Sequence, residues 1–254
     1  MKKRYRLICL IFSCIFAGAL QADNIRGRIV KIQGQVFIVN DNNERRTPEK
    51  SNFLVNNGET VVTDENSKAV IQFTGGALSV LDEKSRLRVE KAGWFSQLSG
   101  KAYYIFKKVF NKQPQKVYTK FATIGIRGTA FIVNASDNDN MIALEEGNLK
   151  IESPGDDYAI RKQRKTDDFS DFRNEHQRQL QMMDQEYSDY KKQLENEFFE
   201  YKKSFELAAD YQVSFNGRNV EQVAISSDIK RAFGDFTYFA AEYISAYKEP
   251  AYLD

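Results

Sequence analysis

The sequence predicts a mainly β protein with an α extension: an all-β sandwich or solenoid-like roll, then a long helix and a shorter C-terminal helix. Three observations carry that expectation. Short alternating apolar runs broken by Gly, Asn, Asp and Ser fill residues 29–160, the pattern of half-buried strands and turns. Residues 166–210 contain no Gly or Pro, and their apolar side chains recur every third or fourth position, a helical period. A further apolar face at helical spacing occupies residues 228–247.

Residues 1–22 stand apart. Lys2, Lys3, Arg4 and Arg6 precede an uncharged stretch from Leu7 to Leu20 that ends in Gln21-Ala22, the layout of a secretory signal peptide cleaved after Ala22. The stretch is shorter than the roughly 20 residues of a membrane-spanning helix. An uncleaved N-terminal anchor and lipid attachment at Cys14 are the alternatives. Export predicts a periplasmic protein. Cys9 and Cys14 both lie in the leader, so the mature chain has neither disulfide nor thiolate chemistry. Loss of the leader's four cations takes the formal charge from +2 to −2, which removes the basic stripe a nucleic-acid partner would need.

In order, the expected strands are 29–32, 36–39, 61–62, 69–73, 77–81 and 87–89, then 117–124, 130–133, 142–144 and 149–151. Gly58, Gly75-Gly76 and Gly147 mark turns. Between these groups, residues 91–116 break the rhythm, and 101–111 are expected as a short helix displaying Tyr104, Phe106 and Phe110. Trp94, Phe95, Tyr103 and these aromatics, interleaved with Lys101, Lys107, Lys108 and Lys112, read as a cap on the β core in preference to a contact surface for an anionic polymer or membrane.

The long helix carries a stripe of Phe169, Phe172, His176, Leu180, Met183, Tyr187, Tyr190, Leu194, Phe198, Tyr201, Phe205 and Ala208. Its mean spacing of about 3.5 is that of a coiled-coil seam. At 1.5 Å per residue such a helix reaches roughly 65 Å, so it needs a partner. Residues 228–247 are the local candidate, with Asn216-Gly217 as the intervening turn. Aromatics at the seam suit an irregular hairpin or a partner-binding helix, and self-association through this helix is the other outlet. Phe169, Phe172, Met183, Tyr187, Tyr190, Leu194, Phe198 and Tyr201 are the candidate partner contacts.

Chemistry is sparse. His176 is the single histidine and sits on the apolar stripe, where packing is its expected role. One histidine and no mature cysteine exclude a His/Cys zinc cluster and a Cys-His pair. Glu145-Glu146 precedes Gly147, but adjacent strand residues face opposite ways, so a turn entry is expected. Asp137 and Asp139 lack the Gly and terminal Glu of a calcium loop and read as a hairpin tip. No phosphate or dinucleotide loop is present. These residues make no case for an enzyme, and no cofactor, metal or small-molecule ligand is indicated.

One stretch is specific. KVYTKFATIGIRGTAFIV at 116–133, followed by ALEEGNLKI at 143–151, resembles the FecR family domain. Thr119, Ala122, Gly125, Arg127, Gly128, Thr129 and Phe131 match its core, and Glu146 and Gly147 match its later strand pair. GGALSVLDEKSRLRVE looks like the family's turn-and-strand pattern, so the resemblance covers about residues 25–160. It implies an all-β extracytoplasmic module. In the best-known members this is the outer part of membrane-spanning regulators that bind an outer-membrane transporter's signalling domain and control a sigma factor through a cytoplasmic N-terminal segment. Here only the leader precedes the β region, so direct sigma-factor control is not expected.

The expected organisation is therefore a signal peptide over 1–22, a FecR-like β domain over 23–160 and a helical extension over 161–254. The expected partner is an envelope or membrane protein. The role is interaction or sensing, with accessory signalling through a separate membrane regulator, or structural contact with peptidoglycan or membrane, as alternatives. Arg127, flanked by Ile124, Ile126 and Phe131, is expected as a buried pin of the β core, held by carbonyls or by Glu146, since a buried guanidinium needs acceptors.

Overall fold

Alternating residues become two sheets that share one strand. The computed structural model describes residues 25–47, 52–74, 76–90, 93–106, 115–137, 139–161 and 198–248. The first strands are β1 (Ile25–Gln33), β2 (Val36–Val39), β3 (Arg45–Arg46), β4 (Phe53–Asn56), β5 (Thr60–Thr63), β6 (Lys68–Phe73), β7 (Ala77–Leu81) and β8 (Arg86–Val89). The long β9 (Trp94–Phe106) leads to β10 (Gln115–Tyr118), β11 (Thr123–Ile126), β12 (Ala130–Ala135), β13 (Asn140–Glu146), β14 (Asn148–Glu152) and β15 (Tyr158–Arg161). Then come β16 (Phe199–Lys202), β17 (Ser204–Ala208), β18 (Tyr211–Asn216) and β19 (Asn219–Ala224), with helices α1 (Ser227–Phe239) and α2 (Ala241–Lys248) last.

The first sheet runs β4-β1-β6-β7-β9-β12-β13-β18-β19-β15-β16. The second runs β3-β2-β5-β8-β9-β10-β11-β14-β17. The described pairings are antiparallel apart from β9 with β10 and β15 with β19. β9 crosses between sheets. Its first half pairs with β8 and β10, its second half with β7 and β12. The crossing falls at Gly100, whose φ of +83° suits glycine. Beside it Gln97 donates to Gly100 O at 2.7 Å and to Val133 O at 3.1 Å, and accepts from the Tyr104 hydroxyl at 2.9 Å.

The expected helix over 101–111 is thus corrected: residues 101–106 are strand, and the remainder lie outside the described residues. The cause is burial on both sides. Ala102, Tyr104 and Phe106 face the core between the sheets, while Tyr103 and Ile105 face the opposite way into a second core. A continuous apolar run covered on both faces suits a central strand, and its β-branched and aromatic content favours the pleated form. The same two-sided burial holds in β12, where Phe131 and Val133 point into one core and Ala130 and Ile132 into the other.

Helices α1 and α2 supply the second core. Ser226 caps α1 by accepting from the Ile229 amide at 3.3 Å. Phe233, Phe236, Ala240 and Ile244 pack on Val30, Val70, Leu78, Val80 and Ile132 of the first sheet. Tyr103 meets Phe233 edge-on at 5.7 Å and stacks on Phe236 at 6.0 Å. Lys31 donates to Phe239 O at 2.8 Å, a cation at the end of α1, and the Tyr243 hydroxyl donates to Val30 O at 3.0 Å. Each buried Phe side chain contributes about 1.5–3 kcal/mol. The expected C-terminal helix is present, divided at Ala240.

The long helix is corrected where it is described. Residues 199–202, 204–208 and 211–216 are strands, so the β body extends through Ala224, past the expected boundary at 161. β17 joins β14 and β18 joins β13, and the buried Leu207, Val213 and Phe215 complete the core between the sheets. Asn216-Gly217 opens the turn of the β18–β19 hairpin, not a break between helices. The expected single strand over 117–124 is two strands, β10 and β11, with a turn at Thr119. The leader and the stripe positions Phe169, Phe172, His176, Leu180, Met183, Tyr187, Tyr190 and Leu194 lie outside the described residues.

Candidate interaction surface

The Thr-x-x-Ala part of the motif is the turn from β10 to β11. The Thr119 hydroxyl oxygen accepts from the amides of Phe121 at 3.2 Å and Ala122 at 2.8 Å, and the Thr119 amide donates to Ala122 O at 2.8 Å. Ala122 is fully buried. The Tyr158 hydroxyl locks the turn from β15, donating to Phe121 O at 2.8 Å and to Glu152 O at 3.2 Å. Burial holds the Tyr158 phenol well above its ordinary range, with the Ser153 hydrogen bond opposing. Phe131 stacks between Tyr104 at 5.2 Å and Phe106 at 6.0 Å. These motif residues shape the scaffold.

The Gly-x-Arg-Gly-Thr part ends β11 and forms the corner that follows it, against the turn that joins β13 to β14. Gly147 has φ +97°, and a Cβ there would lie 2.6 Å from Thr129 Cγ2 and 2.7 Å from Gly128 O. The two turns therefore interlock through the missing side chain. Thr129 is buried, while Glu146 at the end of β13 is exposed. Arg127 is exposed as well, and among the described residues no hydrogen bond or ion pair engages its guanidinium. The expectation of a buried pin held by Glu146 is overturned. The strand ends at Ile126, and the bend turns the next side chain out of the sheet.

Beside this corner lies the outer face of the second sheet. With Phe95 and Val117 buried, the alternate residues Trp94, Ser96, Lys116 and Tyr118 face outward. Trp94 and Tyr118 approach at 5.6 Å between ring centroids, tilted by 54°, and the Lys116 ammonium lies 5.8 Å from the Trp94 ring. Of the expected aromatic cap, Phe95, Tyr103, Tyr104 and Phe106 are buried, and Phe110 and the lysines at 107, 108 and 112 lie outside the described residues. Tyr118 was not among the sequence candidates; its place opposite the buried Val117 in the alternation is the available clue.

Of the candidate partner contacts, two fall on described residues. Tyr201 is 47% exposed on the edge strand β16, and Phe198, just before it, is half-buried. Glu145 accepts from the Tyr103 hydroxyl at 3.0 Å, and Asp137 and Asp139 stand at the β12–β13 hairpin tip as expected. Among the described residues, no helix is long and apolar enough to cross a membrane.

Residues 59–150 match the family model described as FecR protein, which bears out the resemblance over that span. It runs from just before β5 into β14 and includes every matching motif residue. Two crystal structures of a proposed anti-sigma factor from Parabacteroides distasonis ATCC 8503, at 1.65 and 2.50 Å resolution, are similar at 11% identity over 68% of this chain, with TM-scores of 0.43 and 0.44. The chain spans 63% of the length of those chains. No curated protein sequence matches it.

Proposed function

Taking the FecR match over residues 59–150 as premise, we propose that this protein is a non-enzymatic interaction module of a sigma-factor-type signalling system, exported to the periplasm. Its partner is an envelope or membrane regulatory protein. The observation that carries this reading is Arg127: an exposed arginine on a corner locked by Gly147, inside the family motif. An arginine presents five donors in a fixed fork, and arginines are over-represented among the residues that dominate protein interfaces. A rigid turn aims that fork without the entropy cost of ordering a loop on binding. The leader's layout supports export.

The test is in-cell crosslinking of tagged full-length protein, with identification of the captured proteins, beside thermal melting of the purified wild type and Arg127→Ala. The expected result is a membrane or envelope regulator captured by the wild type and reduced at least about tenfold in the variant. The melting temperature should hold within about 2 °C, as for a surface substitution. Undiminished capture, or a variant that melts far lower, overturns the reading.

A further inference from the structure

The dipeptide Asn-Gly occurs twice in the chain, at Asn57-Gly58 and at Asn216-Gly217. Its chemistry is special because glycine has no Cβ to shield its backbone nitrogen. That nitrogen can therefore reach the side-chain carbonyl carbon of the asparagine before it. Both asparagines are exposed, and both glycines have a positive φ, +83° at Gly58 and +59° at Gly217. Sequence and exposure do not separate the two sites. The turns that hold them do.

Asn57-Gly58 lies in the turn from β4 to β5, which is tied to its surroundings. The Gly58 amide donates to Val89 O at 2.8 Å, and the Val89 amide donates to Glu59 O at 2.8 Å. The Asn56 amide donates to Glu59 Oε2 at 2.7 Å, and Arg46 pairs with the other oxygen of this buried carboxylate. A Cβ on Gly58 would stand 3.2 Å from Asp41 Oδ2. Asn216-Gly217 lies at the tip of the β18–β19 hairpin instead. The last rung sets Asn216 opposite Asn219, and Arg218 O accepts from the Ala159 amide at 2.9 Å. Among the described residues no hydrogen bond engages the Gly217 amide or the Asn216 side chain. Nothing lies within 4 Å of a Cβ added to Gly217.

We propose that Asn216 is a site of spontaneous deamidation in the folded protein, from which the fold protects Asn57. A hairpin tip opens locally more often than a turn bonded to its neighbours. In the opened tip the Gly217 nitrogen attacks Asn216 Cγ. The N–Cγ bond forms, the nitrogen gives up its proton, the Cγ–Nδ2 bond breaks and ammonia leaves, closing a succinimide ring. Water then opens the ring at either carbonyl. Cleavage of the N–Cγ bond gives aspartate; cleavage of the bond between that nitrogen and the main-chain carbonyl carbon gives isoaspartate, whose backbone runs through the former side chain. Either product carries a carboxylate where the chain had an uncharged amide. Isoaspartate also adds a carbon to the backbone at the rung next to the buried Phe215 and Val220. The inference stands apart from the Arg127 reading, because it needs no partner.

Purified full-length protein is held at mildly alkaline pH, sampled over time, digested and read by peptide mass spectrometry. Deamidation shows as a mass gain, and isoaspartate as a separately eluting peptide. A parallel sample is held in enough urea to unfold the chain. In the folded sample Asn216 should react at least about tenfold faster than Asn57, because the tied turn opens more rarely. In urea the two should react at similar rates, which places the difference in the fold. Asn216→Gln, whose ring closure needs a larger ring, should leave position 216 unmodified and Asn57 unaffected. Equal rates at the two folded sites, faster reaction at Asn57, or a preference for Asn216 that persists in urea overturns the proposal. So does an intact Asn216 in folded protein after the urea sample has converted. Arg127-dependent capture of a protein partner would stand in any of these events.

Discussion

Gly147 shows how little freedom a single position has here. Its positive φ and the 2.6 Å and 2.7 Å approaches to Thr129 and Gly128 leave no room for a methyl group. Gly147→Ala should cost more than about 2 kcal/mol, read as a lower urea midpoint at constant m. Gly155→Ala, with nothing within 4 Å of the added atom, should change the midpoint by less than about 0.5 kcal/mol. Motif matching made Gly147 legible in the sequence, but the reason for it, the close approach of the turn at Gly128 and Thr129, was not. Arg127 is the sharper case. Its apolar neighbours belong to strands on either side of a bend, and a bend reverses the inference from neighbours to burial. Tyr118 is not legible from its neighbours in the chain, because its partner Trp94 reaches it only through the parallel pairing of β9 with β10.

At the scale of elements, local periodicity points to helix in two places that are strand, β9 and the pair β16 and β17. Phe199 and Tyr201, and Phe205 and Leu207, are spaced by two as a strand requires, in a segment where Phe198, Tyr201, Phe205 and Ala208 also satisfy the helical three-and-four rule. Free strand edges on β13 and β14 decided between them: they accept β18 and β17 in ladders that a helix cannot join. β15 and β16 pair as a hairpin, with Arg161 opposite Phe199, so the residues between leave and return at one place. Replacing 162–198 with Asn-Gly, a favoured two-residue hairpin connection, should preserve the β circular dichroism spectrum and bring melting within about 5 °C of the full chain. An unfolded product would show that the excised residues hold the sheets together.

At the scale of the whole molecule, two cores share the first sheet, and their buried tyrosines set the alkaline limit. Burial holds Tyr103, Tyr104 and Tyr158 well above the phenol's ordinary 10.0, and the charge and hydrogen bond of Glu145 add to the effect at Tyr103. The unfolded chain releases these protons near pH 10 while the folded chain keeps them. Stability is therefore fully present below about pH 10 and falls as pH rises beyond it, by at least about 2 kcal/mol per pH unit if two or more phenols contribute. Denaturant midpoints measured from about pH 8 to about pH 12 should show a plateau and then that decline. Tyr104→Phe should make the decline shallower; an unchanged midpoint across the range would contradict the buried state of these phenols.

By itself the sequence determined what is local: most strands of the first 160 residues, the turns at Asp137 and Asn216-Gly217, the apolar face of the C-terminal helices, and the motif that the FecR model also matches. Tertiary structure alone decided which face each strand buries, that β9 spans both sheets, that β16 to β19 join the β body, that α1 and α2 cover the first sheet, and that Arg127 faces out. The division has a physical cause. Alternation and turn chemistry act between neighbours in the chain, whereas strand register and burial are set by pairings between distant segments, and a strand's preference for its place depends on what lies across from it.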